Sequence, residues 1–123
     1  MQRSTKQRVA IQQAMTQADR PLAPQDVLEL AQVTLPGLGI ATVYRALKAM
    51  ADEGLLREVH LPGRNPMYEV AHHGHHHHFQ CAVCEKVFDV HACPGNLASL
   101  APAGFVVESH EITLYGRCRE CAA

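Results

Sequence analysis

Apolar positions recur in two different rhythms along this chain. As far as residue 53 they return at gaps of three and four, the spacing of a helix face; beyond it they fall in short strand-like runs. Ile11, Ala14, Met15 and Ala18 predict a first helix over residues 5–18, with Arg8 and Gln12 elsewhere on the wheel. Pro21 and Pro24 interrupt that pattern. Pro24 suits the first position of a second helix whose Val27, Leu28, Leu30 and Ala31 face inward. Leu35-Pro36-Gly37-Leu38-Gly39 is turn chemistry. A third helix then runs from Ile40 to about Glu53, where Gly54 stops it, with Ile40, Val43, Leu47 and Met50 as its buried stripe.

Thr42, Tyr44, Arg45 and Lys48 lie off that stripe, giving the third helix a basic, hydroxyl-bearing outer face. Taken alone, such a face is an ordinary solvated surface. The next stretch of chain changes its meaning, because residues 55–59 and 67–70 read as two short strands around Leu61-Pro62-Gly63-Arg64-Asn65-Pro66. Three helices and a hairpin are the winged-helix plan, in which the last helix enters the major groove and Arg64 at the hairpin tip meets phosphate. After a hinge at residues 71–74, strands are expected at 75–81 and 87–90, a short helix at 94–101 and a long strand over 105–115. The expected fold class is α+β, with a winged-helix DNA-binding domain in residues 1–71 and an α/β metal-binding domain in residues 72–123.

Composition sharpens this in one respect. At 123 residues, two domains leave each half near the size at which a core is marginal, so metal or oligomerisation must supply stability. No apolar run approaches a membrane span and the N-terminus lacks a signal-peptide core, which predicts a cytoplasmic protein without a membrane partner. Net charge is −1, and the halves differ only slightly, at +1 for residues 1–71 and −2 for the rest. Bulk charge therefore decides nothing about nucleic acid.

The chemistry is concentrated in His72-His73-Gly74-His75-His76-His77-His78-Phe79-Gln80-Cys81-Ala82-Val83-Cys84, which holds six of the nine histidines and two of the five cysteines. The run is internal, broken by glycine and continuous with a Cys-x-x-Cys, unlike an expression tag. Cys81 and Cys84 are matched by Cys118 and Cys121. Four thiolates at this double spacing fit a closed, tetrahedral, structural zinc site, and a reducing compartment favours metal over disulfides. On a strand, His76 and His78 share one face while His75 and His77 share the other, so one run can feed two sites. His60, Glu69, Asp89, His91, Cys93 and His110 are the candidates to complete them.

These motifs resemble those of the ferric-uptake-regulator family of metalloregulators. Thr5-x-Gln7-Arg8, Ala41-Thr42-Val43-Tyr44-Arg45-Ala46-Leu47, Gly54-Leu55-Leu56 and Tyr68-Glu69 carry the likeness in the first half. His75-His76-His77-His78-Phe79-Gln80-Cys81-x-x-Cys84 and His110-x-x-x-Leu114-Tyr115-Gly116-x-Cys118-x-x-Cys121 carry it in the second. The resemblance implies a homodimer that binds double-stranded, AT-rich palindromic operator DNA, with Tyr44 at a thymine methyl and Arg45 near the backbone. It implies structural Zn2+ on Cys81, Cys84, Cys118 and Cys121, and a regulatory metal on His76, His78, Glu69 and Asp89. An additional metal would sit with His75, His77 and His110.

Departures from the family pattern bear on the metal. Arg20-Pro21-Leu22 stands where iron and peroxide sensors place a histidine before the second helix. His60 is similar in position to a histidine of some zinc sensors, and Cys93 falls where others have glutamate, which favours zinc. Ala71 replaces a cysteine frequent in zinc sensors. The balance predicts a zinc-responsive repressor of the zinc-uptake-regulator branch, with His60 among the regulatory ligands and Fe2+ or Mn2+ as alternative metals. The rival within the family is an iron or peroxide sensor; the rival from another class is a zinc hydrolase, which lacks a convincing general base. No enzymatic activity and no small-molecule substrate are expected.

Overall fold

The computed structural model describes residues 3–71 and 76–123. The chain divides into two units, Met1–His72 and His73–Ala123, stabilised in different ways.

The first unit contains α1 (Arg3–Ala18), α2 (Pro24–Ala31), α3 (Ile40–Asp52), β1 (Leu56–Val59) and β2 (Met67–Val70). Local chemistry sets the helix ends. The N–H of Ala23, the residue before α2, donates to the Asp26 carboxylate at 3.1 Å, and Pro24 needs no partner in the first turn. At the end of α3, Gly54 adopts φ 83°. Its N–H donates to Ala51 O at 3.0 Å, while that of Leu55 donates to Met50 O at 2.9 Å, the paired bonds of a glycine-terminated helix.

Ile11 and Met15 from α1, Val27 from α2, Val43, Leu47 and Met50 from α3, and Leu22 between them are fully buried in one apolar cluster. Two residues expected to face inward do not. Leu30 is exposed because it lies roughly 100° round the wheel from the centre of the Val27, Leu28, Ala31 stripe; Ile40 is exposed at the first position of its helix. Strands β1 and β2 pair antiparallel, Leu56 opposite Val70 through Val59 opposite Met67. Leu22 and Tyr68 exchange two backbone bonds of 2.8 Å, so the hairpin is tied to the segment between α1 and α2. This is a winged-helix domain.

The second unit is a three-stranded sheet in the order β4-β3-β5, with β3 (His77–Cys81), β4 (Val87–Val90) and β5 (Thr113–Gly116), followed by the single turn α4 (Arg119–Ala122). β4 runs antiparallel and β5 parallel to β3. Two expectations are corrected here. The helix over 94–101 shrinks to a 3-10 turn, Ala98–Leu100, since Pro94 and the left-handed Gly95 precede it and Leu100 is left largely exposed. The long strand is confined to Thr113–Gly116. Residues 105–112 alternate well enough, but without a neighbouring strand alternation makes no ladder, and Val106 is 85% exposed.

The apolar cluster lies wholly within the first unit among the described residues. The buried residues described in the second unit are Cys81, Val87 and the histidines 76–78. Among its described residues, that unit is organised around cysteine and histidine side chains instead of a hydrocarbon core.

Candidate metal centres

The parallel pairing of β3 with β5 sets Cys81 opposite Gly116, which delivers Cys118 and Cys121 to the turn holding Cys84. All four sulfurs come within 4.8 Å of one another, and Cys84 Sγ lies 3.8 Å from Cys118 Sγ. A tetrahedron with metal–sulfur bonds of ~2.3 Å has edges of ~3.8 Å, so the residues fit a four-thiolate ion. Backbone N–H groups of Val83, Cys84 and Cys118 donate to Cys81 Sγ at 3.4, 3.5 and 3.4 Å. Led by the bond from Cys84, they hold the Cys81 thiol down to about 6, a thiolate at neutral pH. Hydrogen bonding to Cys118 and then Cys81 pushes the Cys121 thiol up to about 12. One thiolate is thus held among three further sulfurs, a setting that favours a bound cation.

A second group sits on one face of the β3–β4 ladder. His76 Nε2 and His78 Nε2 both lie 3.4 Å from Asp89 Oδ1, and the two rings meet edge to face with centroids 5.1 Å apart. All three side chains are buried. Two imidazoles and a carboxylate converging in this way suit a divalent first-row metal.

The opposite face carries His77, Cys93 and His110. Cys93 Sγ lies 3.4 Å from His77 Nε2 and 3.3 Å from His110 Nε2; a nitrogen–sulfur edge of ~3.5 Å is what zinc would require. One detail runs the other way. The Ile112 N–H donates to His77 Nδ1 at 3.0 Å, which puts the ring proton on Nε2, towards Cys93. Metal-bound imidazoles instead donate from the distal nitrogen, so metal entry here requires the His77 ring to turn over. His75, expected in this group, falls outside the described residues.

On the hairpin, Glu69 and His60 part company. Glu69 stands opposite Arg57, 3.6 Å from its Nε, and is 1% exposed. His60 Nε2 contacts Glu58 Oε2 at 3.0 Å, and Tyr68 donates its phenol proton to Glu58 Oε1 at 3.2 Å. Glu58 and Tyr68 are cross-strand partners one register from Arg57 and Glu69, and a one-residue step reverses the face. His60, expected among the regulatory ligands, is here in contact with Glu58. Sequence reasoning missed Glu58, which engages His60, though their i, i+2 spacing was the available signal.

On α3, Tyr44, Arg45 and Lys48 are exposed and Thr42 is half-buried, with Tyr44 at 52%. The Arg45 guanidinium donates to Thr42 Oγ1 at 3.3 Å, and Arg64 is half-buried in the hairpin turn. Arg8 forks onto both carboxylate oxygens of Glu53 at the end of α3. That contact fastens α1 to the helix that carries Tyr44, a tie the sequence did not reveal.

The family model described as the Ferric uptake regulator family matches residues 2–115. The Bacillus subtilis peroxide operon regulator is 29% identical over 124 residues, covering 98% of this chain and 84% of that protein. The iron-bound ferric uptake regulator of Francisella tularensis superposes with a TM-score of 0.71 at 26% identity, over 95% of this chain and 92% of the other. FurB of M. tuberculosis, a zinc uptake regulator, gives a TM-score of 0.54 at 30% identity over 97% and 95%.

Proposed function

The chain belongs to the ferric uptake regulator family, and from that premise we propose that it is a metal-dependent, zinc-responsive transcriptional repressor that binds double-stranded operator DNA as a homodimer in the cytoplasm. Proteins of this family are metal-responsive, DNA-binding regulators, not enzymes. In this reading residues 1–71 form the DNA-binding half and residues 72–123 the dimerisation half. The observation that carries it is the buried His76, His78, Asp89 group in a unit that also carries a four-cysteine cluster and, among the described residues, lacks an apolar core.

Cys81, Cys84, Cys118 and Cys121 hold structural zinc, whose binding energy is folding energy for the second half. His76, His78 and Asp89 hold the regulatory ion from the C-terminal half, and Glu69 holds it from the DNA-binding half. A bound divalent cation supplies fixed bond directions and positive charge there. Tyr44 meets a thymine methyl, Arg45, Lys48 and Arg64 meet phosphates, and Thr42 orients Arg45. His77, Cys93, His110 and His75 form the additional site. Exposed Phe105, Val106, Leu114 and Tyr115 give the second copy an apolar surface to cover.

Because the linkage is reciprocal, zinc raises operator affinity by the factor by which operator raises zinc affinity. The thiolate of Cys93 and the likeness to FurB support zinc. A second reading, iron or manganese, is favoured by the carboxylate of Asp89 among two imidazoles and by the likeness to the Francisella protein. Operator selected from random-sequence DNA, followed by fluorescence anisotropy under zinc, ferrous or manganous titration, tests both. Zinc should tighten binding at the lowest free-metal level. Binding that ignores chelation of the weaker sites sinks the repressor reading.

A further inference from the structure

In the β3–β4 ladder, His77 pairs with Val90 and His78 with Asp89. The same antiparallel register, carried one step outward, sets His76 against His91. Because side chains alternate, His76, His78, Asp89 and His91 occupy one face as a two-by-two square. The rings already reflect this. His76 and His91 have centroids 6.1 Å apart and are tilted by 37°, while His76 packs on His78 at 5.1 Å and both reach Asp89. Three corners are buried and the fourth, His91, is exposed.

We propose that His91 is a metal ligand: the fourth donor of a three-imidazole, one-carboxylate site that lies entirely within the C-terminal half. The three buried groups alone leave a divalent ion short of tetrahedral coordination. His91 stands at the solvent edge of the square, where rotation about its two side-chain bonds swings the imidazole over the other donors. An exposed imidazole beside buried ones also gives an arriving hydrated ion its first contact. Three imidazoles and one carboxylate suit zinc or ferrous iron better than manganese. The C-terminal half then supplies four donors of its own, to which Glu69 is added. This inference rests on the metal-responsive reading of His76, His78 and Asp89.

The test is a Co2+ titration of the full-length chain with its four-cysteine cluster preloaded with zinc, read by visible absorption and competition with a chelator. His91→Ala should weaken Co2+ binding by at least the ~10- to 100-fold associated with supporting groups and change the ligand-field bands. His91→Asp should restore affinity with a different spectrum, which a purely structural role would not give. An unchanged affinity and spectrum in His91→Ala, with binding lost in His78→Ala, overturns the role of His91 and leaves the metal-responsive reading intact. Unchanged binding in His78→Ala as well removes the site altogether, and both readings fall.

Discussion

The His60 ring contacts the Glu58 carboxylate at 3.0 Å, on the face of the hairpin opposite that of Glu69. A histidine so placed can tune the wing but does not add a donor to the Glu69 face. His60→Ala is therefore expected to leave regulatory-metal affinity unchanged, whereas Asp89→Ala lowers it ~10- to 100-fold or more. Competition titration with a chromophoric chelator on both variants checks the contrast.

Hydrogen bonds from Cys84 and Cys118 keep the Cys81 thiol ionised down to about 6. Its folded-state value lies below the ordinary thiol range, so the thiolate stabilises the fold above that range. The benefit disappears as pH falls through about 6. The sheet of the second half in the zinc-loaded chain should therefore persist from the ordinary thiol range down to about pH 6 and be lost below it, as a far-UV circular dichroism titration would show. Loss of the sheet already in the ordinary thiol range would contradict the N–H to sulfur bonds.

Removing metal from the four-cysteine cluster should unfold the second half selectively. That half buries almost no hydrocarbon among its described residues, and structural zinc contributes roughly 10–16 kcal/mol in small domains. Cys118→Ser should lose the β signal of the sheet while the three helices persist, as hydrogen exchange would show residue by residue.

On α3 the two faces should respond in opposite ways. Leu47→Ala opens a cavity under a fully buried side chain and should cost ~2–5 kcal/mol of stability. Tyr44→Ala should scarcely alter the melting temperature yet cost ~1–3 kcal/mol of operator discrimination. Thermal melts beside operator anisotropy separate them.

The first half was legible because its helices bury stripes that recur at helical spacing and are bounded by Pro24 and Gly54, signals that are local. The second half was legible mainly in its ligands. Cys81, Cys84, Cys118 and Cys121 announced themselves by spacing, and the alternation from His76 to His78 gave the two faces of β3. Residues 105–112 misled, since their alternation resembles that of a strand while pairing depends on a neighbour that sequence cannot supply. The contact of His60 with Glu58 was not legible either: proximity along the hairpin says little about which face a side chain takes.

The parallel pairing of β3 with β5 spans more than thirty residues of intervening chain, and the two cysteine pairs flank its closed end. Pairings of that separation are slow, because loop closure costs entropy before any contact repays it. A cation captured first by Cys81 and Cys84 and then by Cys118 and Cys121 closes that loop chemically. Metal supply would thereby govern how quickly newly made chains reach the native state.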